Sequence, residues 1–302
     1  YQLENLIPQN LKLLPISDCV YSFILNLKGG IVDDVIISKV KIDFNEYFFV
    51  VYNASRKKID EKIITNLVSN SIIIKNNSLI SLQGPSSEKT LQTIFPFVDK
   101  LNFMQISTFK FNNEDILISR TGYTGEDGFE LSIPNTQVEN IVTQLTKHAD
   151  TLLCGLGCRD SLRLEAGLCL YGNELNETIS PIEANLKWAI SKSRLKLGNF
   201  RGYKRINDEI QKGSSRIRIG IKSIHRSILR SHMTLHDQKK NIVGEITSGG
   251  FSPSLNVSIA MGYINNDFLK FSNEIYCSIR GKIELVKMSN LPFINFNYKR
   301  SK

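Results

Sequence analysis

Runs rich in β-branched and aromatic residues occupy 21–27, 31–40 and 48–52, with Gly29-Gly30 between the first two. The pattern predicts three strands, the first pair joined by a tight turn. Residues 55–68 switch to a helical period, with Ile59, Ile63 and Leu67 on one stripe and Asn53 or Ser55 as the expected cap. Further strands are expected over 71–74 and 79–82, then a short helix after Gly84-Pro85 with Leu91 and Ile94 inside. Phe129, Leu131 and Ile133 share one strand face, which turns Glu130 to the other. Thr136 and Glu139 have capping-box spacing ahead of a helix carrying Val138, Ile141, Val142 and Leu145.

An apolar run at 151–154 reads as a strand entering Gly155-x-Gly157, followed by a helix with Arg159 and Arg163 one turn apart. Asp160 stands where a dinucleotide fingerprint needs its third glycine, and no βαβ unit surrounds it, so a Rossmann site is excluded. Ser180-Pro181-Ile182-Glu183 has the form of a helix start. From about Asn199 onward short β-patterned runs recur, broken by Gly, Ser, Asn and Pro, as in a small barrel or sandwich. The whole is α+β rather than a regular βαβ alternation.

With 302 residues, 41% hydrophobic and 22% charged, the chain is long enough for two or three cored domains. No apolar run has the length of a membrane span, and no secretory signal pattern opens the chain. The five cysteines (19, 154, 158, 169, 277) lack CxxC spacing and are expected to be reduced, buried and free of metal. A net charge of +9 favours an anionic partner, and basic residues concentrate between Lys187 and Arg230. No zinc finger, RNP1 motif or basic zipper is present, so nucleic acid is not the expected partner.

Four places carry candidate chemistry. Asp33 and Asp34 lie at the start of a strand on opposite faces, Asp34 with Ile36 and Asp33 with Val35 and Ile37. A carboxylate turned towards apolar surroundings has its pKa raised, whereas acids at turn exits are usually solvated; the pattern leaves both open. RTGYTGEDGFEL, 120–131, bends at three glycines and presents Tyr123, Thr124, Glu126 and Asp127, with Glu130 beyond. Arg159 near a helix start opposes the helix dipole, a conflict eased if it holds a carboxylate; a surface ion pair explains it equally. Trp188, the one tryptophan, fits a core position or a stacking platform for a heterocycle.

GGIVDDVII, VVYNAS, SLISLQGP, RTGYTGEDGFEL, GLGCRDSLRLEAGLCLYGNEL, SPIEANLKW and GEITSGGFSPSL, in this order, resemble the T-protein of the glycine cleavage system across essentially the whole chain. The resemblance implies a three-domain cloverleaf with a C-terminal β-barrel and a central folate channel. The domains are expected as a folate-binding α+β part over 1–70, the remainder of that unit over 71–196, and the barrel over 197–302. The implied activity is aminomethyl transfer from a lipoylated H-protein to tetrahydrofolate as co-substrate, giving 5,10-methylenetetrahydrofolate and ammonia, without metal, nucleic acid or membrane. It further implies a bacterial cytoplasm, or a mitochondrial matrix in a eukaryote.

Carried over residue by residue, Asp34 becomes the catalytic carboxylate, with Ile36 on its face. Val51, Asn53, Tyr123, Glu130, Arg159, Trp188, Arg218 and Tyr298 become folate-site positions. The family usually begins with about 50 more residues, including an FDVSHM-like segment, and the sequence is expected to be a truncated form. The same fold hosts folate-dependent demethylases and a non-catalytic folate-binding branch of iron-sulfur assembly. That branch carries KGCYxGQE where this chain has RTGYTGED.

Overall fold

A computed structural model describes residues 2–42, 44–271 and 274–300 of the chain. Strands β1 (Cys19–Leu25), β2 (Ile31–Ile42) and β3 (Asn45–Tyr52) form an antiparallel sheet in that order, followed by α1 (Lys57–Leu67). A second antiparallel sheet, ordered β4-β7-β6-β5, comprises β4 (Asn77–Gln83), β5 (Ile106–Phe111), β6 (Glu114–Ser119) and β7 (Gly128–Pro134). Helices α2 (Ser87–Gln92) and α3 (Asn135–Thr146) cover it around a core of Leu91, Phe95, Phe129, Leu131 and Ile141. Then come α4 (Leu156–Glu165), α5 (Lys192–Leu197) and α6 (Tyr203–Lys212). A closed barrel, β10-β11-β8-β13-β12-β9, follows from β8 (Arg216–Ser223), β9 (Thr234–His236), β10 (Ile242–Ser252), β11 (Val257–Asn265), β12 (Ile275–Ile279) and β13 (Lys282–Ser289). Closure leaves the barrel without free strand edges.

The lobes are not consecutive stretches of chain. One face of the first sheet packs Phe23, Leu25 and Ile31 against Cys169, Ile179, Leu186, Phe200 and Ile206, so 169–206 returns to the lobe begun by β1–β3. The middle lobe is the insertion between them. This packing cuts across the 70/71 and 196/197 divisions expected from the chain order, because the partners of β1 and β2 lie more than a hundred residues on. Gly30 shows how tight the return is: a Cβ there would sit 1.8 Å from the Glu177 carbonyl oxygen.

Several local expectations yield to tertiary packing. Residues 71–74 and 151–154 are irregular, with Leu152 and Leu153 exposed, so Cys154 and Cys158 are exposed while Cys19, Cys169 and Cys277 are buried. Thr136 lies inside α3 and bonds the Glu114 carboxylate at 3.0 Å instead of capping. Ser180 and Glu183 do form reciprocal capping bonds, Ser180 N to Glu183 Oε2 at 2.9 Å and Glu183 N to Ser180 Oγ at 3.1 Å. No α-helix follows them, because the buried Glu183 carboxylate is held by Arg205 at 2.8 Å and Arg216 at 3.0 Å. In α1 the buried positions are Asp60 and Ile64, not the Ile59 and Leu67 edge of the expected stripe, both of which are exposed.

Arg163 of α4 ties the lobes together. Its side chain is almost fully buried; Nη1 donates to Glu174 Oε2 at 2.9 Å and Nη2 to Ser248 Oγ in β10 at 2.9 Å. Glu174, also buried, accepts from Leu170 N at 2.9 Å and from Thr247 Oγ1 at 2.5 Å. Removing one member of a buried pair leaves the other charge unsolvated. Arg163→Met is therefore expected to destabilise the protein by about 3 kcal/mol, and Glu174→Gln by less; denaturant unfolding of both variants checks the order.

Candidate functional site

The first two sheets face one another across a cavity. Ile36, Ser38, Phe49 and Val51 line it from β2 and β3, and Leu79, Ile106, Leu117, Ser119, Glu130 and Ser132 from the second sheet, with Thr121 at its side. Their approach is pinned by backbone bonds from Cys19 N to Met104 O, 2.7 Å, and Ile106 N to Ser17 O, 2.8 Å. Ile36 and Val51 are register partners across β2–β3, so both reach the same face. Glu130 is half-buried and accepts a 2.6 Å bond from Thr121 Oγ1, which rules out the merely solvated strand position. The result is an apolar slot with one carboxylate and four hydroxyls, those of Ser38, Ser119, Thr121 and Ser132.

Asp34 is two residues before Ile36 on that face. It is half-buried, and its Oδ2 accepts from Tyr21 Oη at 3.0 Å while Oδ1 accepts from Asn53 Nδ2 at 2.8 Å. Burial, then the neighbouring Asp33 charge, push its carboxyl up to about 6; the Tyr21 and Asn53 donors act in the opposite sense. The solvated alternative for this acid pair is thereby excluded. Asn53 does not cap a helix: its amide spans Asp33 Oδ1 at 2.9 Å and Asp34 Oδ1, and its backbone N–H donates to Asp33 Oδ2 at 2.9 Å.

An aromatic wall continues from Asp34. The Tyr21 ring stacks on Trp188 at 5.5 Å with 22° between planes, and Trp188 is 70% exposed. Trp188 is thus no core residue; it is an indole with its own apolar support and a free surface. Tyr123 donates its hydroxyl to the Cys169 carbonyl, and Arg159 lies over its ring at 4.8 Å. Arg159 is exposed and forms no ion pair among the described residues, so the surface ion pair is not made there.

The RTGYTGEDGFEL loop is held by a residue that pattern reading passed over. Arg120, 1% exposed, grips Asp127 through Nε and Nη2, donates to Leu101 O at 2.9 Å and meets Glu88 at 2.6 Å. Asp127 is therefore a clamp, and Glu126 bonds Asn297 at 2.6 Å. Gly125 has φ +78°, and a Cβ there would lie 2.8 Å from the Ala166 Cβ, which explains glycine at the bend. The arginine-acid spacing of seven around two glycines was the available signal for this clamp.

Two expected residues stand apart from this group. Arg218 is buried and donates to Ala184 O at 2.8 Å and Gly167 O at 2.9 Å, joining barrel to loop. Tyr298 stacks on Phe103 at 3.8 Å and on Phe296 at 5.1 Å, where the C-terminal segment crosses the middle lobe. The basic stretch is also partly internal: Arg194 donates to Glu4 O at 2.5 Å and Arg205 pairs with Glu183 and Glu209. Lys187, Lys192, Lys196, Lys204, Arg226 and Arg230 remain exposed. Among the described residues no cluster of His, Cys, Asp and Glu is arranged to hold a metal ion, and no helix is long and apolar enough to cross a membrane.

The family models described as GCVT N-terminal domain and Glycine cleavage T-protein C-terminal barrel domain match residues 2–194 and 216–295. A mitochondrial aminomethyltransferase of Dictyostelium discoideum is 37% identical over 98% of this chain and 78% of its own length. That of Pisum sativum is 36% identical over 98% of this chain and 74% of its own. The crystal structure of the glycine cleavage system aminomethyltransferase T from Bartonella henselae superposes with a TM-score of 0.91 at 34% identity, covering 99% of this chain and 82% of that one.

Because Tyr21 donates to the ionised form of Asp34, its loss disfavours that form. In Tyr21→Phe the Asp34 carboxyl is expected to titrate above the wild-type value of about 6, as followed by its ¹³C chemical shift against pH.

Proposed function

The chain belongs to the glycine cleavage T-protein family, and from that premise we infer that it is an aminomethyltransferase whose cavity between the first two sheets receives tetrahydrofolate. The observation that carries this is Asp34, a carboxylate held by Tyr21 and Asn53 on the strand face that lines the cavity. The donor set suits a pterin: apolar walls for its flat faces, Glu130 for its N–H edge, and the exposed Trp188 face for the adjoining ring. Arg159, lacking an internal acid, is available to the carboxylates of the folate tail. Arg218 and Tyr298 then support the site from the barrel junction and the C-terminal segment.

Tetrahydrofolate supplies the nucleophilic nitrogen that accepts the one-carbon unit. Asp34 acts on that nitrogen as an orienting hydrogen-bond acceptor and as a fixed negative charge against developing cationic charge. Tyr21 and Asn53 keep the carboxylate from rotating out of position. The apolar walls Ile36, Phe49 and Val51 exclude water from the transfer. The unit arrives on the lipoyl arm of the H-protein, an acidic carrier for which the exposed lysines and arginines of 187–230 provide a complementary surface. The chain then acts where carrier and folate meet, in a bacterial cytoplasm or a mitochondrial matrix.

The test is methylenetetrahydrofolate formation from aminomethyl-loaded H-protein. Asp34→Ala is expected to lower kcat by about a hundredfold or more while KM for tetrahydrofolate changes little. Undiminished kcat would remove Asp34 from the reaction. With the carboxylate as the working form, wild-type kcat is expected to fall as pH drops through about 6, where Asp34 takes up a proton.

A further inference from the structure

Behind Asp34 lies a second acid that the chemistry above does not use. Asp60 projects from α1 beneath β2 and is fully buried, as is Asp33. No N–H or O–H group among the described residues reaches either Asp60 oxygen. Its ionisable neighbour is instead the Asp33 carboxyl, which acts on it directly. Two carboxyl groups can bond only if one of them carries a proton. Asp33 already accepts two N–H bonds from Asn53 whereas Asp60 accepts none, so a proton shared by the pair belongs on Asp60.

The helix itself supports this assignment. An amphipathic helix in this position would bury Ile59, yet α1 leaves Ile59 41% exposed and turns Asp60 inward. A buried ionised carboxylate without donors is costly, whereas a neutral acid donating to an anion is satisfied. Burial, then the Asp33 carboxylate, raise the Asp60 pKa into the range where the proton is kept at neutral pH. The groups around it are Asp33 and Asp34 from β2, Arg56 before α1, and Tyr171. Arg56, the one cation among them, acts in the opposite sense but is drawn off by Glu177 at 2.6 Å and the Tyr171 ring at 4.8 Å. Glu61, next in α1, is occupied by Tyr52 Oη at 3.1 Å.

We propose that Asp60 is a positioning residue for one-carbon transfer: a neutral buried acid whose O–H caps Asp33, which fixes Asn53, which in turn fixes the Asp34 carboxylate. The chain of contacts is short and each link has one direction of donation. Asp60 donates to Asp33, Asn53 donates to Asp33 and Asp34, and Asp34 is left with its remaining lone pairs towards the cavity. Loss of the Asp60 proton would set an unpaired charge beside Asp33 and loosen the Asn53 amide that both acids share. The proposal rests on Asp34 as the working carboxylate.

The test compares wild type with Asp60→Asn, Asp60→Ala and Asp34→Asn, using infrared spectra, melting curves and kcat against pH. Asn at 60 can replace the O–H by an amide N–H and cannot ionise. Asp60→Asn is therefore expected to keep kcat within about twofold at neutral pH and to lose an alkaline limb that wild type shows. Asp60→Ala, checked as folded by its melting curve, is expected to lose about ten- to a hundredfold in kcat with KM for tetrahydrofolate nearly unchanged. A protonated-carboxyl infrared band present in wild type at neutral pH and absent in Asp60→Asn supports the proposal independently of turnover. A band that Asp60→Asn leaves intact, or full kcat in Asp60→Ala, overturns it. Full turnover in Asp34→Asn would instead overturn the role of Asp34, and the infrared band would still decide where the proton lies.

Discussion

The buried ion pair between Arg163 and Glu174 is the constraint from which the arrangement of the three lobes follows. Arg163 comes from the helix that leaves the middle lobe, Glu174 from the segment that re-enters the first, and Ser248 and Thr247 from the barrel. Charges this deep are stable only when every donor and acceptor is satisfied, so the network admits one relative placement of the lobes. Tyr263 of the barrel adds its hydroxyl to the Glu174 carbonyl at 2.7 Å, and Arg218 binds Gly167 and Ala184 on either side. With the junction fixed, Tyr123, Cys169 and Asp34 are brought to the same wall.

That wall sets the properties of the Asp34 carboxylate. Asp34 is poised by opposing effects: burial and Asp33 favour its neutral form, and Tyr21 and Asn53 favour its charged form. The balance leaves a carboxylate that is ionised near neutrality yet poorly hydrated, which strengthens its interaction with charge arising in the cavity. Asn53 is the hinge of this balance because a single amide serves two acids. In the proposed network Asp60 extends the same logic one layer deeper, with a proton in place of an amide.

Much of this was legible along the chain. The β-patterned runs located β1, β2, β3 and β7, and the change of character near Asn199 announced the barrel, because β-branched and aromatic residues suit a pleated, half-buried surface wherever it occurs. The alternation also put Asp34 with Ile36 and turned Glu130 away from Phe129 and Leu131, and both carboxylates do face the cavity side. Failures occurred where a local signal met a nonlocal partner. Ser180 and Glu183 make their capping bonds, but Arg205 and Arg216 hold Glu183 and the chain turns away. Asn53 had the sequence position of a cap and the tertiary duty of a ligand to two aspartates.

The sequence by itself determined the secondary-structure periods, the facing of each strand residue and, through ordered motifs, the family and its chemistry. These depend on neighbours within a few positions or on residues fixed in type. Only the tertiary structure decided which arginines are structural and which are available, that Trp188 is a surface platform, that the first lobe is closed by residues 169–206, and that α1 buries an acid. Those outcomes depend on desolvation and on partners up to a hundred residues or more away, and neither leaves a period in the chain.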